Sequence, residues 1–161
     1  MSLLPSILLV DDDDDYLFVA LRAIERTGLR VDVRVARSAA EALALLGLAS
    51  DRSAPGPPPP CQRVALVMLD LRMPGTDGLE VLRRMQETAR TRSIPVVVVS
   101  SSDRPDDVRQ SYELGANSYV VKRYLAIPPG AYVAEAARYW IELNELPRNP
   151  AERGEGAEPY A

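Results

Sequence analysis

Val64-Ala65-Leu66-Val67-Met68-Leu69-Asp70-Leu71-Arg72-Met73-Pro74-Gly75-Thr76-Asp77-Gly78 holds an uninterrupted apolar run, a carboxylate at its end and a dense turn signal. Six apolar residues bounded by polar turns read as a strand buried on both faces of a sheet. Three further segments repeat the pattern. Ile7-Leu8-Leu9-Val10 stops on Asp11 and Asp12, Val96-Val97-Val98-Val99 on Ser100, and Tyr119-Val120-Val121 on Lys122. A fifth run, Val31 to Val35, alternates strictly and reads as a strand with one exposed face, nearer the sheet edge.

Helix-period segments separate these runs. Leu17, Ala20, Leu21 and Ile24 recur at helical spacing before Gly28, and Ser38 with Glu41 forms a capping-box pattern ahead of Leu43, Leu45 and Leu46. Leu79, Leu82 and Met85 mark the inward face of a third helix. A fourth runs from about Pro105 to Leu114 with Asp103 as its expected cap, and a last one from about Ala131 to Leu143. Strand and helix therefore alternate five times. Right-handed crossovers turn this order into an open parallel α/β sheet with helices on both faces, in the flavodoxin-like strand order 2-1-3-4-5. The expected globular unit spans residues 1–146. It includes a proline-rich connector at residues 49–63, and residues 147–161 form a polar tail expected to be disordered.

Composition narrows the function. A chain of 161 residues with a net charge of -4 and no basic stripe is not built for nucleic acid. No run approaches the roughly 18 apolar residues of a membrane span, and no secretory leader is evident. Cys61 is the only cysteine, which fits a reducing cytoplasm. The chain has no histidine, which removes Ser-His-Asp triads, Cys-His pairs and histidine zinc sites; any phosphohistidine must come from another protein. Its cations are 18 arginines and one lysine, Lys122, so a strand end carries the only compact ammonium.

In a parallel sheet the strand C-ends share one edge, so Asp11, Asp12, Asp70, Ser100 and Lys122 are expected to converge there. Two carboxylates about 4 Å apart repel by about 4 kcal/mol at an effective dielectric near 20, so the group calls for a cation or for protons. Hard oxygen donors without histidine or cysteine suit Mg²⁺. With a Lys beside it, such a site is equipped for phosphoryl transfer, with Asp70 as a nucleophile. Asp13, Asp14 and Asp15 are read as caps of the first helix. An EF-hand loop is rejected, because its sixth and twelfth positions here are Tyr16 and Arg22.

The constellation resembles the response-regulator receiver domain, the CheY-like family of two-component signalling. The resemblance covers about residues 5–145. It is carried by Ile7 to Asp12, by Leu69 to Gly78, by Pro95 to Ser100 and by Gly115 to Lys122. It implies Asp70 as acceptor of a phosphoryl group from a sensor histidine kinase. Asp11 and Asp12 would be the acid pair of a Mg²⁺ site that Asp70 and the main-chain carbonyl of Arg72 complete. Ser100 and Lys122 would engage the phosphoryl oxygens, and Tyr119 would be the switch aromatic that turns inward with Ser100. Two charge-assisted hydrogen bonds of roughly 1.5–3 kcal/mol each match the ~5.5 kcal/mol that inverts a one-in-a-hundred population. Output through a protein surface around the fourth helix, fifth strand and fifth helix follows. No appended effector module is evident, so the chain is expected to be a stand-alone regulator.

The proline-rich insert and Tyr139 to Pro147 are similar to stand-alone receivers that partner bacterial phytochrome kinases. Tyr132, Tyr139, Trp140 and Ile141 offer either core packing or a homodimer surface. One departure stands out. Arg123 follows Lys122 where the family usually has a cis proline, which leaves the aim of Lys122 open. Two other readings remain at this level. One is a haloacid-dehalogenase-like phosphatase with Asp11 as nucleophile and Asp13 as acid; the other is a receiver-shaped interaction module that is never phosphorylated.

Overall fold

The computed structural model describes residues 4–49, 64–122 and 130–146. The proline-rich connector apart from Ala49, the segment from Arg123 towards Gly130 and the tail from Pro147 lie outside the described residues.

Five strands alternate with helices: β1 (Ser6–Val10), α1 (Asp14–Arg26), β2 (Asp32–Ala36), α2 (Ala39–Leu45), β3 (Val64–Leu69), α3 (Gly78–Glu87), β4 (Val96–Ser100), α4 (Pro105–Glu113), β5 (Ser118–Val121) and α5 (Ala131–Arg138). All pairings are parallel and the order is β2-β1-β3-β4-β5, as the alternation predicts. The period-two side-chain alternation divides the core into two layers. Leu8 and Val10 face the layer under α2 and α3 with Val67, Leu69, Leu82, Met85 and Val98. Ile7 and Leu9 face the layer under α1 and α5 with Leu17, Ile24, Leu66, Val97 and Val133. The runs in β1, β3 and β4 are buried almost throughout, but β5 is only half-buried along its length. As an edge strand with a polar α4 beside it, β5 lacks the double cover its apolar sequence suggests.

Local signals explain the ends of most elements. Asp13 caps α1, its Oδ1 accepting from the amides of Asp15 and Tyr16, and Asp14 and Asp15 lie in the first turn near the helix's positive end. Ser38 caps α2, while the Glu41 carboxylate reaches back one residue further than a standard box, to the amide of Arg37. Two expectations change. Arg104, not Asp103, occupies the N-cap of α4 with no side-chain bond, because Pro105 starts the helix one residue later. The last helix is not uniform: from Tyr139 to Leu143 it widens into a π-helical turn, with the Asn144 amide bonded to the Tyr139 carbonyl at 2.7 Å. The extra residue per turn keeps Ala136, Trp140 and Ile141 together against the α1-side core and leaves Leu143 in solvent.

Candidate functional site

Backbone bonds continue the strand ladders past the apolar runs and bring the polar ends level. The Asp70 amide donates to Val10 O at 2.8 Å, the Asp11 amide to Ala36 O at 3.0 Å, and the Lys122 amide to Ser100 O at 2.8 Å. Asp11, Asp70 and Ser100 are consequently buried at the C-terminal edge of the sheet, with Asp12 exposed beside them. One carboxylate oxygen from each of Asp11, Asp12 and Asp70 lies within 4.8 Å of the others.

Lys122 is aimed into this group. Its Nζ donates to Asp11 Oδ2 at 2.5 Å and stands 3.8 Å from Asp70 Oδ2, with both carboxylates and the ammonium almost wholly shielded from solvent. The question raised by Arg123 is answered at the level of the side chain: the ammonium reaches both acids. The remaining carboxylate oxygens are held by the chain itself. Asp11 Oδ1 accepts from the Asp13 amide at 3.0 Å, and Asp70 Oδ1 from the Arg72 amide at 3.3 Å. Tyr16 lies beneath the lysine, with Nζ 4.0 Å from its ring centroid. Burial, followed by the neighbouring Tyr132, pushes the Tyr16 phenol above its ordinary value.

The electrostatics follow from burial. Desolvation pushes the Asp70 carboxyl up to about 6; the Lys122 charge opposes this and the nearby Asp11 adds to it. Burial likewise raises Asp11, against the Lys122 hydrogen bond. At neutral pH Asp70 is largely ionised. The three acidic side chains offer closely spaced oxygen donors, a set that suits a hard divalent cation.

Ser100 is fully buried, and its Oγ accepts from the Ser102 amide at 3.2 Å. Tyr119 packs partly buried against the α2- and α3-side core, with its hydroxyl donating to Ser102 O at 2.8 Å. The sequence reading missed a network that surrounds these two. Asp107 Oδ2 accepts from Arg72 and from Ser102 Oγ, each at 2.5 Å. It ties the loop after Asp70 to α4, and these bonds hold the Asp107 carboxyl below its usual range, Ser102 first and Arg72 second. Arg72 and Asp107 stand 35 residues apart, and no local pattern pairs them.

A model of the response regulator receiver domain matches residues 7–126. The chain belongs to this family. Receivers are signalling proteins, and a relative from Methanothrix harundinacea, probable methanogenesis regulatory protein FilR2, is 36% identical over 143 residues, covering 88% of this chain and 86% of its own length. Response regulator Rcp1 of Synechocystis sp. is 38% identical over 85 residues, 53% of this chain and 58% of that protein. Among solved structures, the Mn²⁺-bound form of Rcp1 superposes with a TM-score of 0.77 at 29% identity, covering 89% of this chain and 99% of that one. The bacteriophytochrome response regulator RtBRR does so at 0.66 and 38% identity, covering 94% and 86%. This membership speaks against the phosphatase reading, and the Asp13 carboxylate is engaged through its Oδ1 in the α1 cap. Among the described residues, no helix is long and apolar enough to cross a membrane.

Proposed function

We propose that the chain is a phosphoacceptor regulator that takes a phosphoryl group onto Asp70 from the phosphohistidine of a sensor kinase. The observation that carries the reading is the placement of Lys122 Nζ within reach of both Asp11 and Asp70 at the sheet edge. An Asp70 oxygen attacks phosphorus, the P–N bond breaks, and its electron pair leaves with the partner's imidazole. Asp70 must be ionised to attack, and with its carboxyl at about 6 it is so at neutral pH. Asp11, Asp12, Asp70 and the Arg72 carbonyl would hold Mg²⁺, which when bound supplies Lewis-acid neutralisation of phosphoryl charge. Lys122 and the Ser100 hydroxyl take up phosphoryl oxygens, and drawing Ser100 towards Asp70 disturbs the Ser102 amide that it now holds.

Ser102 is also the acceptor of the Tyr119 hydroxyl, so the response passes to β5 and α4. The α4 helix buries only Ser111 completely and is the most weakly anchored helix of the face, which suits a surface that rearranges. The likeness to the bacteriophytochrome response regulator RtBRR supports a bacterial phytochrome kinase as the donor, and we read the setting as cytoplasmic. Exposed Tyr139 and Leu143 beyond α5 support a homodimer through the β5–α5 region. Labelling by a phosphohistidine donor tests the core of the proposal. The label should require Mg²⁺ and disappear in Asp70→Asn; a label that persists on Asp11 in that variant overturns it.

A further inference from the structure

Lys122 ends on a flexible four-carbon stem, so where its ammonium rests depends on the groups packed around it. The strand fixes only its backbone, through the amide bond to Ser100 O. Asp11 draws Nζ strongly to one side, at 2.5 Å against 3.8 Å to Asp70. The Tyr16 ring supplies a third side, 4.0 Å from Nζ, well inside the roughly 6 Å over which a ring face attracts a cation. The Lys122 side chain is 7% exposed, so the contact is desolvated, where such attraction is strongest.

The ring is itself positioned. Tyr16 sits in the first turn of α1 with its amide bonded to Asp13 Oδ1, and its side chain packs on the α1-side core. The Asp13 cap fixes the backbone from which the ring projects, and the ring face lies against the ammonium.

We propose that Tyr16 is a positioning residue for phosphoryl recognition, its ring face keeping the Lys122 ammonium poised beside Asp70. The inference rests on the phosphoacceptor reading of Asp70. It assigns to a first-turn aromatic of α1 part of the support for Lys122, in a chain where Arg123 stands next to the lysine in sequence.

The single lysine makes the test direct. Protein labelled with ¹³Cε-lysine gives one lysine side-chain resonance, whose Hε protons should lie upfield of free lysine through the Tyr16 ring current. Tyr16→Phe keeps the ring and should retain both this shift and the Mg²⁺-dependent affinity for beryllofluoride, within about twofold. Tyr16→Leu should lose the shift and weaken beryllofluoride by about 5- to 30-fold, the range expected of a desolvated cation–ring contact. An unshifted Hε in the wild-type protein overturns the proposal even if Tyr16→Leu fails to fold. So does a folded Tyr16→Leu variant that binds beryllofluoride like the wild type. A wild-type protein that shows the shift but no beryllofluoride response would overturn the phosphoacceptor reading and leave the stacked lysine as a structural contact only.

Discussion

Replacing Asp70 by asparagine should stabilise the metal-free protein at neutral pH while abolishing phosphorylation. The Asp70 carboxyl stands at about 6 in the folded chain against 3.8 for the ordinary group. At about 1.36 kcal/mol per pH unit, the 2.2-unit difference costs the folded state about 3 kcal/mol once the group is ionised. The side chain is only 6% exposed, so solvent screening does not erase this cost. Its direction in pH follows from proton binding. Between about pH 4 and 6 the folded chain holds more protons on Asp70 than the unfolded chain does, so stability falls as pH rises through that window and then levels off. Asparagine carries no such titration. The gain from Asp70→Asn should be near zero at pH 4 and reach about 3 kcal/mol by pH 7.5. In urea unfolding followed by circular dichroism with a chelator present, that gain moves the midpoint by about 1–3 M, given a slope of about 1–3 kcal/mol/M. A variant less stable than wild type at pH 7.5, or a gain equal at both pH values, would refute the argument that burial dominates this site.

Three other substitutions examine its supports. Lys122→Met leaves Asp11 and Asp70 buried without their ammonium; a loss of about 3–5 kcal/mol is expected in urea unfolding, partly restored by added Mg²⁺. Gly78→Ala places a methyl 2.3 Å from the Asp70 carbonyl oxygen and 2.9 Å from Leu71 Cα, both rigid backbone, so α3 must shift. The cost should be about 1–3 kcal/mol, with weaker Mg²⁺ binding by calorimetry. Asn117→Ala removes the Oδ1 that accepts the Val96 amide at 2.8 Å and strands that donor at the start of β4; about 1–3 kcal/mol should be lost, with faster hydrogen exchange at Val96.

The residues that announced the fold are those whose signal is local. Ile7 to Val10, Val64 to Leu69 and Val96 to Val99 are short, apolar and bounded by turns, and the structure buries them between two helix layers. Asp13 and Ser38 were legible as caps because capping depends on the next three residues. Arg104 was not legible as the α4 cap, since nothing in its side chain does the capping. The half-exposure of β5 was hidden as well: Tyr119-Val120-Val121 is as apolar as an inner strand, and edge position depends on what packs beside it.

For the candidate site, the sequence alone determined which residues share an edge. Strand ends on one edge of a parallel sheet bring Asp11, Asp12, Asp70, Ser100 and Lys122 together whatever the details of packing, because strand direction and crossover hand leave few alternatives. Only the tertiary structure decided direction. Lys122 meets Asp11 across 111 residues, rests on a tyrosine from the first helix, and shares an edge with the Arg72, Asp107 and Ser102 bonds that hold Tyr119. Such contacts depend on distances between elements to within an ångström, and those are set by how whole layers pack rather than by any pattern along the chain.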